Sequence, residues 1–276
     1  MFSSSDGTKV AVCDGGARIW TSTDSGSTWT YSSAGPWTSV AGSSDGVQLI
    51  ACQNGGYIWI STNSGTNWNS ITAPGPRSWR SVASSSDGQK IVALTWDGIL
   101  MRSTDGGSTW SAPYTIKTGT NWNAIVSSVD GTKLAVCEGS GGDIWTSADS
   151  GATWTDMGSS SPHHETGMAS SSDGTKLVTW ENSGNIWTST DSGATWTRRY
   201  AVQLAWPWTS VACSSDGSKL AAIGGLGYVY ISTDGGTTWS QQPVTGASSL
   251  AFAASSSDGT KLFLCDSYST NIYSGK

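Results

Sequence analysis

The sequence predicts an all-β fold, a seven-bladed β-propeller of four-stranded antiparallel blades, and three observations carry that prediction. A phrase S-x-D-G places its aspartate at Asp6, Asp45, Asp87, Asp130, Asp173, Asp216 and Asp258, at spacings of 39 to 43 residues. Self-similarity at a fixed period of this length marks an array of supersecondary units. Within each period, four short runs rich in Val, Ile, Trp and Thr are separated by Gly, Asp and Ser clusters, which is how strands joined by tight turns read. No stretch of ten residues has helical periodicity. Repeated four-stranded antiparallel units stand radially around a channel in a propeller.

The unit that starts at Trp79 shows each element in turn. "WRSVA" is strand A and "SSSDGQ" the A–B turn, whose Asp accepts local backbone N–H groups while its Gly supplies positive φ. "KIVAL" is strand B, "TWDG" the B–C loop and "ILMRS" strand C. "TDGGST" is the C–D turn, and "WSAPY" is strand D. The C–D turn belongs to a nine-residue phrase, "STDSGSTWT" at Ser22 to Thr30, with variants that begin at Ser61, Ser103, Ser147, Ser189 and Ser232. Its Asp and Gly satisfy the hairpin locally. Its Trp (Trp29, Trp68, Trp110, Trp154, Trp196, Trp239) is expected to pack between blades, burying on the order of 200 Å². Asn63 replaces the Asp once and keeps the acceptor. The phrase reads as a staple and carries no chemistry of its own.

The string S-x-D-x-G-x-x-W resembles the Asp-box, or BNR repeat, of sialidase-like propellers, and the resemblance runs from residue 22 to 239 through six boxes. It implies the propeller fold. The family it resembles includes sialidases, xyloglucan-cleaving glycosidases, sortilin-type receptors, photosystem assembly factors and non-catalytic binding propellers, and in all of them the box is structural. The resemblance therefore says little about activity.

At 276 residues the chain is expected to form a single propeller domain, 1–276. Ring closure has two readings. Met1 and Phe2 stand where other copies have "SVA", and the last copy stops at "NIYSGK", after strand C. Counting starts gives seven blades; residues 1–30 and 255–276 duplicate the same B and C strands, so a six-bladed ring with overlapping ends is the alternative. A missing D strand leaves a sheet edge open to self-association through the incomplete last blade.

Charge and cysteine content narrow the partners. Charged residues make up 12% of the chain and the net charge is −6, which disfavours nucleic acid as a partner. No apolar run approaches the roughly 18 residues of a membrane span, so no membrane insertion is expected. "MFSSSDG" shows no signal peptide. Cys13, Cys52, Cys137 and Cys265 each fall seven residues after an S-x-D-G aspartate, one position filled elsewhere by Leu94, Trp180 and Ile223. They read as buried free thiols. Cys213, on another strand, is expected to be free as well.

Function on a rigid scaffold sits in the loops that differ. The A–B and C–D turns hardly vary, whereas the B–C loops ("CDGGAR", "TWDG", "CEGSGGD", "WENSGN") and D–A connections ("TYSSAGP", "TDMGSSSPHHETG") vary widely. The candidate ligand-binding residues on that face fall into two groups. Trp37, Trp79, Trp122 and Trp208 stand eight residues before the S-x-D-G aspartate, with Glu165 and Leu250 in the same position of other copies. They either wedge between blades or present flat faces to a ligand, sugar rings being the natural partner. Asp14, Glu138, Glu181 and Asp266 share one position after strand B, with Gln53 in the pattern, and Glu165 and Asp97 lie nearby. Carboxylates in equivalent places can line a polar crevice. His163 and His164, followed by Glu165, read as a surface loop; no metal and no cofactor is expected. The strand C aromatics Trp20, Trp59, Trp145, Trp187, Tyr230 and Tyr273 are assigned to the core.

A sialidase resemblance would imply three arginines clamping a substrate carboxylate, but the chain has six arginines and no such triad maps onto them. A two-carboxylate glycosidase needs acids about 5 to 9.5 Å apart, and Glu138, Glu165 and Glu181, on adjacent copies, are the one cluster to test for it. The loops are too brief to wall off a cleft. The reading is a non-catalytic binding propeller with a glycan or protein ligand, lectin-like first and a protein–protein scaffold second, with a glycoside hydrolase of sialidase-like fold as a further alternative.

Overall fold

The computed structural model describes all residues except 15–17, 119, 140, 160–164, 182–183, 200–207, 225–226, 243, 245–248, 267–271 and 276. Every regular element among the described residues is a β-strand. The first unit pairs Phe2–Ser3, Val10–Cys13, Arg18–Ser22 and Thr30–Ala34 in chain order, all antiparallel. The fourth (Trp122–Ser127, Leu134–Glu138, Asp143–Ser147, Thr155–Ser159), fifth and sixth units repeat that A-B-C-D order. The second and third units join, because strand B of the second (Leu49–Gly56) runs past its own C strand and pairs Asn54 with Ser78 and Gly56 with Arg77. The last sheet has three strands, Leu250–Ser255, Leu262–Asp266 and Ile272–Gly275.

The turns close on themselves as their sequences require. In each S-x-D-G turn the Ser hydroxyl donates to the Asp carboxylate and accepts an N–H five residues on. At Ser128 these bonds are 2.6 Å to Asp130 Oδ1 and 3.0 Å from Lys133 N. In the nine-residue hairpin, Asp191 Oδ1 accepts Thr195 N–H at 2.8 Å, Ser189 Oγ accepts Gly193 N–H at 2.9 Å, and Trp196 Nε1 donates to Gly193 O at 3.0 Å. Gly193 has φ +92°. The residue before it in the hairpin is left-handed too, which the sequence alone did not signal: Ser25, Ser64, Ser150 and Ser192 have φ between 55° and 60°, and Gly106 and Gly235 take their place in two copies. Strand D begins after the Trp, at Thr197 in the fifth unit, because the indole bond to the glycine carbonyl turns that residue back under the hairpin.

Successive sheets follow one another around a common axis, a β-propeller architecture. A belt of backbone bonds links the A–B turns: Ser5 N–H donates to Ser44 O, Ser44 to Ser86, Ser86 to Val129, Val129 to Ser172, Ser172 to Ser215, Ser215 to Ser257, and Ser257 back to Ser5. Lysines reinforce it, Lys261 Nζ reaching Asp6 O and Lys219 Nζ reaching Asp258 O, each at 2.8 Å. The apolar cores lie between units. Trp79, Val82 and Ile91 pack on Ile50, Cys52 and Ile58 of the preceding unit, and Phe263 and Cys265 pack on Val10 and Val12. The hairpin tryptophans pack against these cores as expected, Trp68, Trp110, Trp154, Trp196 and Trp239 among them. Strands A line an axial channel of about 330 Å³, walled in part by Val40, Val82 and Ile125.

Trp196→Ala is expected to cost about 3 kcal/mol in denaturant unfolding followed by circular dichroism. Gly107→Ala is expected to cost about 1 kcal/mol or more, because φ is +92° there and the new Cβ would stand 2.3 Å from Ile60 Cδ1. The turn aspartates give a pH signature as well. Hydrogen bonds from Thr28 hold Asp24 down to about 2, and those from Ser128 and Thr132 do the same for Asp130, against 3.8 for a free carboxyl. A depressed carboxyl contributes stability that is complete above its unfolded pKa and is lost as pH falls through the folded one. Thermal melts should therefore be flat from pH 7 to about pH 5 and fall steeply between 3.8 and about 2.

Candidate functional site

A β-bulge interrupts each described A–B pairing from the second unit on, at the channel end that carries the variable loops. The register shifts fall between Trp37 and Ser39, Trp79 and Ser81, Trp122 and Ala124, Glu165 and Gly167, Trp208 and Ser210, and Leu250 and Phe252. A bulge re-aims the residue it extrudes. The extruded residues are Thr38, Arg80, Asn123, Thr166, Thr209 and Ala251. Threonine is the common choice and acts as a bolt between units: Thr38 Oγ1 donates to Trp79 O at 3.0 Å, and Thr209 Oγ1 to Leu250 O at 2.9 Å.

Arg80 and Asn123 depart from that pattern, and they face each other. Arg80 Nη2 donates to Asn123 Oδ1 at 3.3 Å, and its Cζ stands 5.0 Å from the ring centre of Trp96, an indole 42% exposed in the adjacent B–C loop. Arg80 Nε is buried with no hydrogen-bond partner, and no carboxylate lies within ion-pair distance of the guanidinium among the described residues. Burial presses the Arg80 pKa below its ordinary value. The neighbouring acids are already matched: Lys117 Nζ reaches Asp143 at 2.5 Å and Glu138 at 3.4 Å, and the Asp143 contact, with the help of Glu138, raises the lysine pKa. A half-desolvated cation beside an open aromatic face is thus short of a counter-charge. The sequence reading passed over Arg80; the signal was the residue after the strand A tryptophan, where Thr recurs and Arg breaks the run.

The tryptophans named as candidate ligand platforms are packed inside the fold. Trp37, Trp79, Trp122 and Trp208 are buried, at 4% exposure or less. Trp208 Nε1 donates to Gly184 O of the preceding unit at 2.9 Å, and a Cβ on Gly98 would meet Trp122 Nε1 at 2.5 Å. Trp37 packs edge-on against Trp59 at 5.9 Å. These positions place the four indoles between units, with little of their surface exposed. Glu165 pairs by register with Glu181; its side chain, with His163 and His164, falls outside the described residues.

At the acidic position after strand B, Asp14, Gln53 and Glu181 cap strand C indoles. Asp14 Oδ2 accepts Trp20 Nε1 at 3.3 Å, Gln53 Oε1 accepts Trp59 Nε1 at 3.1 Å, and Glu181 accepts from Trp187 Nε1 and, at 2.8 Å, from Asn185 Nδ2. Glu138, Glu181 and Asp266 are buried, at 6% exposure or less. Glu138 reaches Lys117, and Trp145 Nε1 has no hydrogen-bond partner among the described residues. Where strand C carries Met101 or Tyr230 in place of the indole, the acceptor is replaced by Thr95 or Gly224. An acceptor is needed there, and a charge is not. Burial pushes the thiols of Cys13, Cys52 and Cys213 up to about 12, and none of the five cysteines forms a disulfide among the described residues. Open aromatic surface at this mouth comes from Tyr57, Trp96 and Tyr228.

No protein-family model matches the chain, and no curated protein matches it. Solved structures match its fold. A structure described as "YCF48 bound to D1 peptide" superposes with a TM-score of 0.73 at 19% identity, over 95% of this chain and 88% of that one. The Cps50 (Swd1) β-propeller domain of Myceliophteria thermophila gives 0.76 at 14% identity, over 99% and 93%. The GH74 xyloglucanase of Xanthomonas campestris gives 0.74 at 14% identity, over 97% of this chain and 50% of that one. Identities this low show a shared propeller fold.

Glu181→Gln is expected to melt close to the wild type, since Gln53 performs the same role at the equivalent position. Glu181→Ala, which orphans the Trp187 and Asn185 donors, should cost about 2 kcal/mol. Calorimetry of the two variants separates an acceptor role from a charge role.

Proposed function

We propose that the chain is a non-catalytic binding propeller, one domain over residues 1–276 closed as a ring of seven blades. In this reading its variable-loop mouth receives a polypeptide segment that carries a carboxylate. The unmatched Arg80 guanidinium against the open face of Trp96 is the observation that carries the reading. An arginine fork suits a carboxylate bidentately, and partial exclusion of water strengthens the pairing. Asn123 holds the guanidinium from one side, and the Trp96 ring adds apolar contact. The belt that returns from Ser257 to Ser5 and the core joining Phe263 to Val10 support seven blades over six. Boxes with the same internal bonds at Asp24, Asp105, Asp149, Asp191 and Asp234 support membership of the Asp-box class.

The neighbour described as bound to D1 peptide lends analogy at the level of fold. A lectin-like role is the second reading, favoured by the exposed rings of Tyr57, Trp96 and Tyr228. A hydrolytic reading needs a pair of carboxylates available to substrate, and Glu181 is enclosed with Trp187 and Asn185.

A heptapeptide library with free and with amidated C-termini, panned beside a glycan array, tests the proposal. Carboxylate-bearing peptides should be enriched, and Arg80→Gln should weaken the best of them at least tenfold with an unchanged melt. Retention of glycans alone, insensitive to Arg80→Gln, would install the second reading. Silence in both arms would remove both.

A further inference from the structure

Among the described residues, one strand C indole lacks the cap that the others have. In the first, second and fifth units the residue after strand B accepts the indole N–H: Asp14 from Trp20 at 3.3 Å, Gln53 from Trp59 at 3.1 Å, and Glu181 from Trp187. The fourth unit has both groups in the same places. Its last B–C ladder pair, Cys137 with Ile144, matches Cys52 with Ile58 and Trp180 with Ile186, so Glu138 and Trp145 follow that pair as Gln53 and Trp59 do. The one extra residue of this B–C loop falls beyond the ladder. Yet Glu138 Oε2 accepts Lys117 Nζ at 3.4 Å, and Trp145 Nε1 is buried without a hydrogen-bond partner among the described residues. A buried donor left unpaired is destabilising, so the lysine holds the carboxylate against a competing partner.

Lys117 comes from the connection between the third and fourth units and is the exposed member of the pair, its side chain 39% accessible against 3% for Glu138. Asp143, at the far end of the same B–C loop, binds the ammonium at 2.5 Å. The position of Glu138 bears on the residue that follows it. Gly139 N–H donates to Asn121 O at 2.6 Å, and a Cβ at Gly139 would stand 2.4 Å from Asn123 Nδ2. The backbone at Gly139 is thus packed on the amide whose Oδ1 accepts Arg80 Nη2 at 3.3 Å. Lys117, Glu138, Gly139, Asn123 and Arg80 form one continuous line of contacts.

We infer that Glu138 is an acceptor with two positions, and that Lys117, by fixing one of them, is a positioning residue for Arg80. With the lysine in place the carboxylate lies away from the indole, and Gly139 holds the Asn123 amide toward the guanidinium. Without it the carboxylate rotates onto Trp145 Nε1, as its counterparts do, and the support behind Asn123 shifts. An enclosed carboxylate is stable in that second position: Glu181, at 0% exposure, is held there by the N–H groups of Trp187 and Asn185. The consequence for ligand affinity rests on the binding role proposed for Arg80, whereas the exchange of Glu138 between partners does not.

Heteronuclear NMR of the full chain reads both ends of this line, with the Trp145 indole and Arg80 Nε–H signals assigned from Trp145→Phe and Arg80→Lys. In Lys117→Met the Trp145 indole proton should exchange with solvent about tenfold more slowly, the Arg80 Nε–H signal should move, and the melt should not fall. Glu138→Gln releases the lysine and keeps an acceptor for the indole, as Gln53 does, so it should reproduce both changes. Glu138→Ala should not slow the exchange. The carboxylate-bearing heptapeptide that is most weakened by Arg80→Gln should bind Lys117→Met about fivefold more weakly. Unchanged Trp145 exchange in Lys117→Met, or slower exchange in Glu138→Ala as well, would overturn the two-position acceptor. An unmoved Arg80 signal, or an unchanged peptide affinity, would overturn the positioning role. If no carboxylate-bearing peptide binds the wild type, the role proposed for the channel mouth fails by itself, and the two NMR signals still decide between these outcomes.

Discussion

Burial between neighbouring sheets is the constraint on which the rest of this structure depends. No unit here encloses a core of its own. Strands B are buried along nearly their whole length, but the side chains that cover Val92 and Leu94 come from Trp122, Ile125 and Leu134 of the next unit. A sheet so placed is stable only with a neighbour on either side, as in other repeat architectures. The contacts between Phe263, Cys265, Val10 and Val12, and the bond from Ser257 to Ser5, give the first and last units the same kind of neighbour that the middle units have.

The hairpins answer a different need. Their aspartates are exposed, and their donors lie within four residues, as at Asp191 with Thr195 N–H. Such a turn is complete before it meets the rest of the protein, so the same string serves each unit, and its indole is the part that reports on the interface. That division explains why the most repeated residues in the chain are the least informative about chemistry.

At the channel mouth, the bulge concentrates individuality. The same backbone irregularity recurs with Thr38, Thr166 and Thr209, whose hydroxyls join strands, and then with Arg80 and Asn123, which face each other. A scaffold that extrudes one residue at each of these bulges can change the chemistry at that position with a single substitution and leave the ladders intact. The acids nearby do not add to that chemistry. Asp14 and Glu181 spend their acceptors on indoles, and Glu138 is tied to Lys117.

Much of this was legible in the residues. The period, the four strands, the Asp-anchored turns and the packing of the hairpin indoles follow from hydrogen bonds and alternations that span two to ten residues, and local sequence specifies those directly. The pairing of an acceptor after strand B with an indole on strand C was partly written in the chain: the carboxylate or amide gives way to Thr95 and Gly224 where Met101 and Tyr230 replace the indole, although Asp266 is kept where Tyr273 does so. Tertiary structure alone decided that Trp79 and Trp122 are sealed while Trp96 is open, and that Arg80 stands against Trp96 and Asn123. Those outcomes depend on side chains about forty residues away meeting across an interface, and a one-residue bulge reverses which way a strand residue looks without changing its letter.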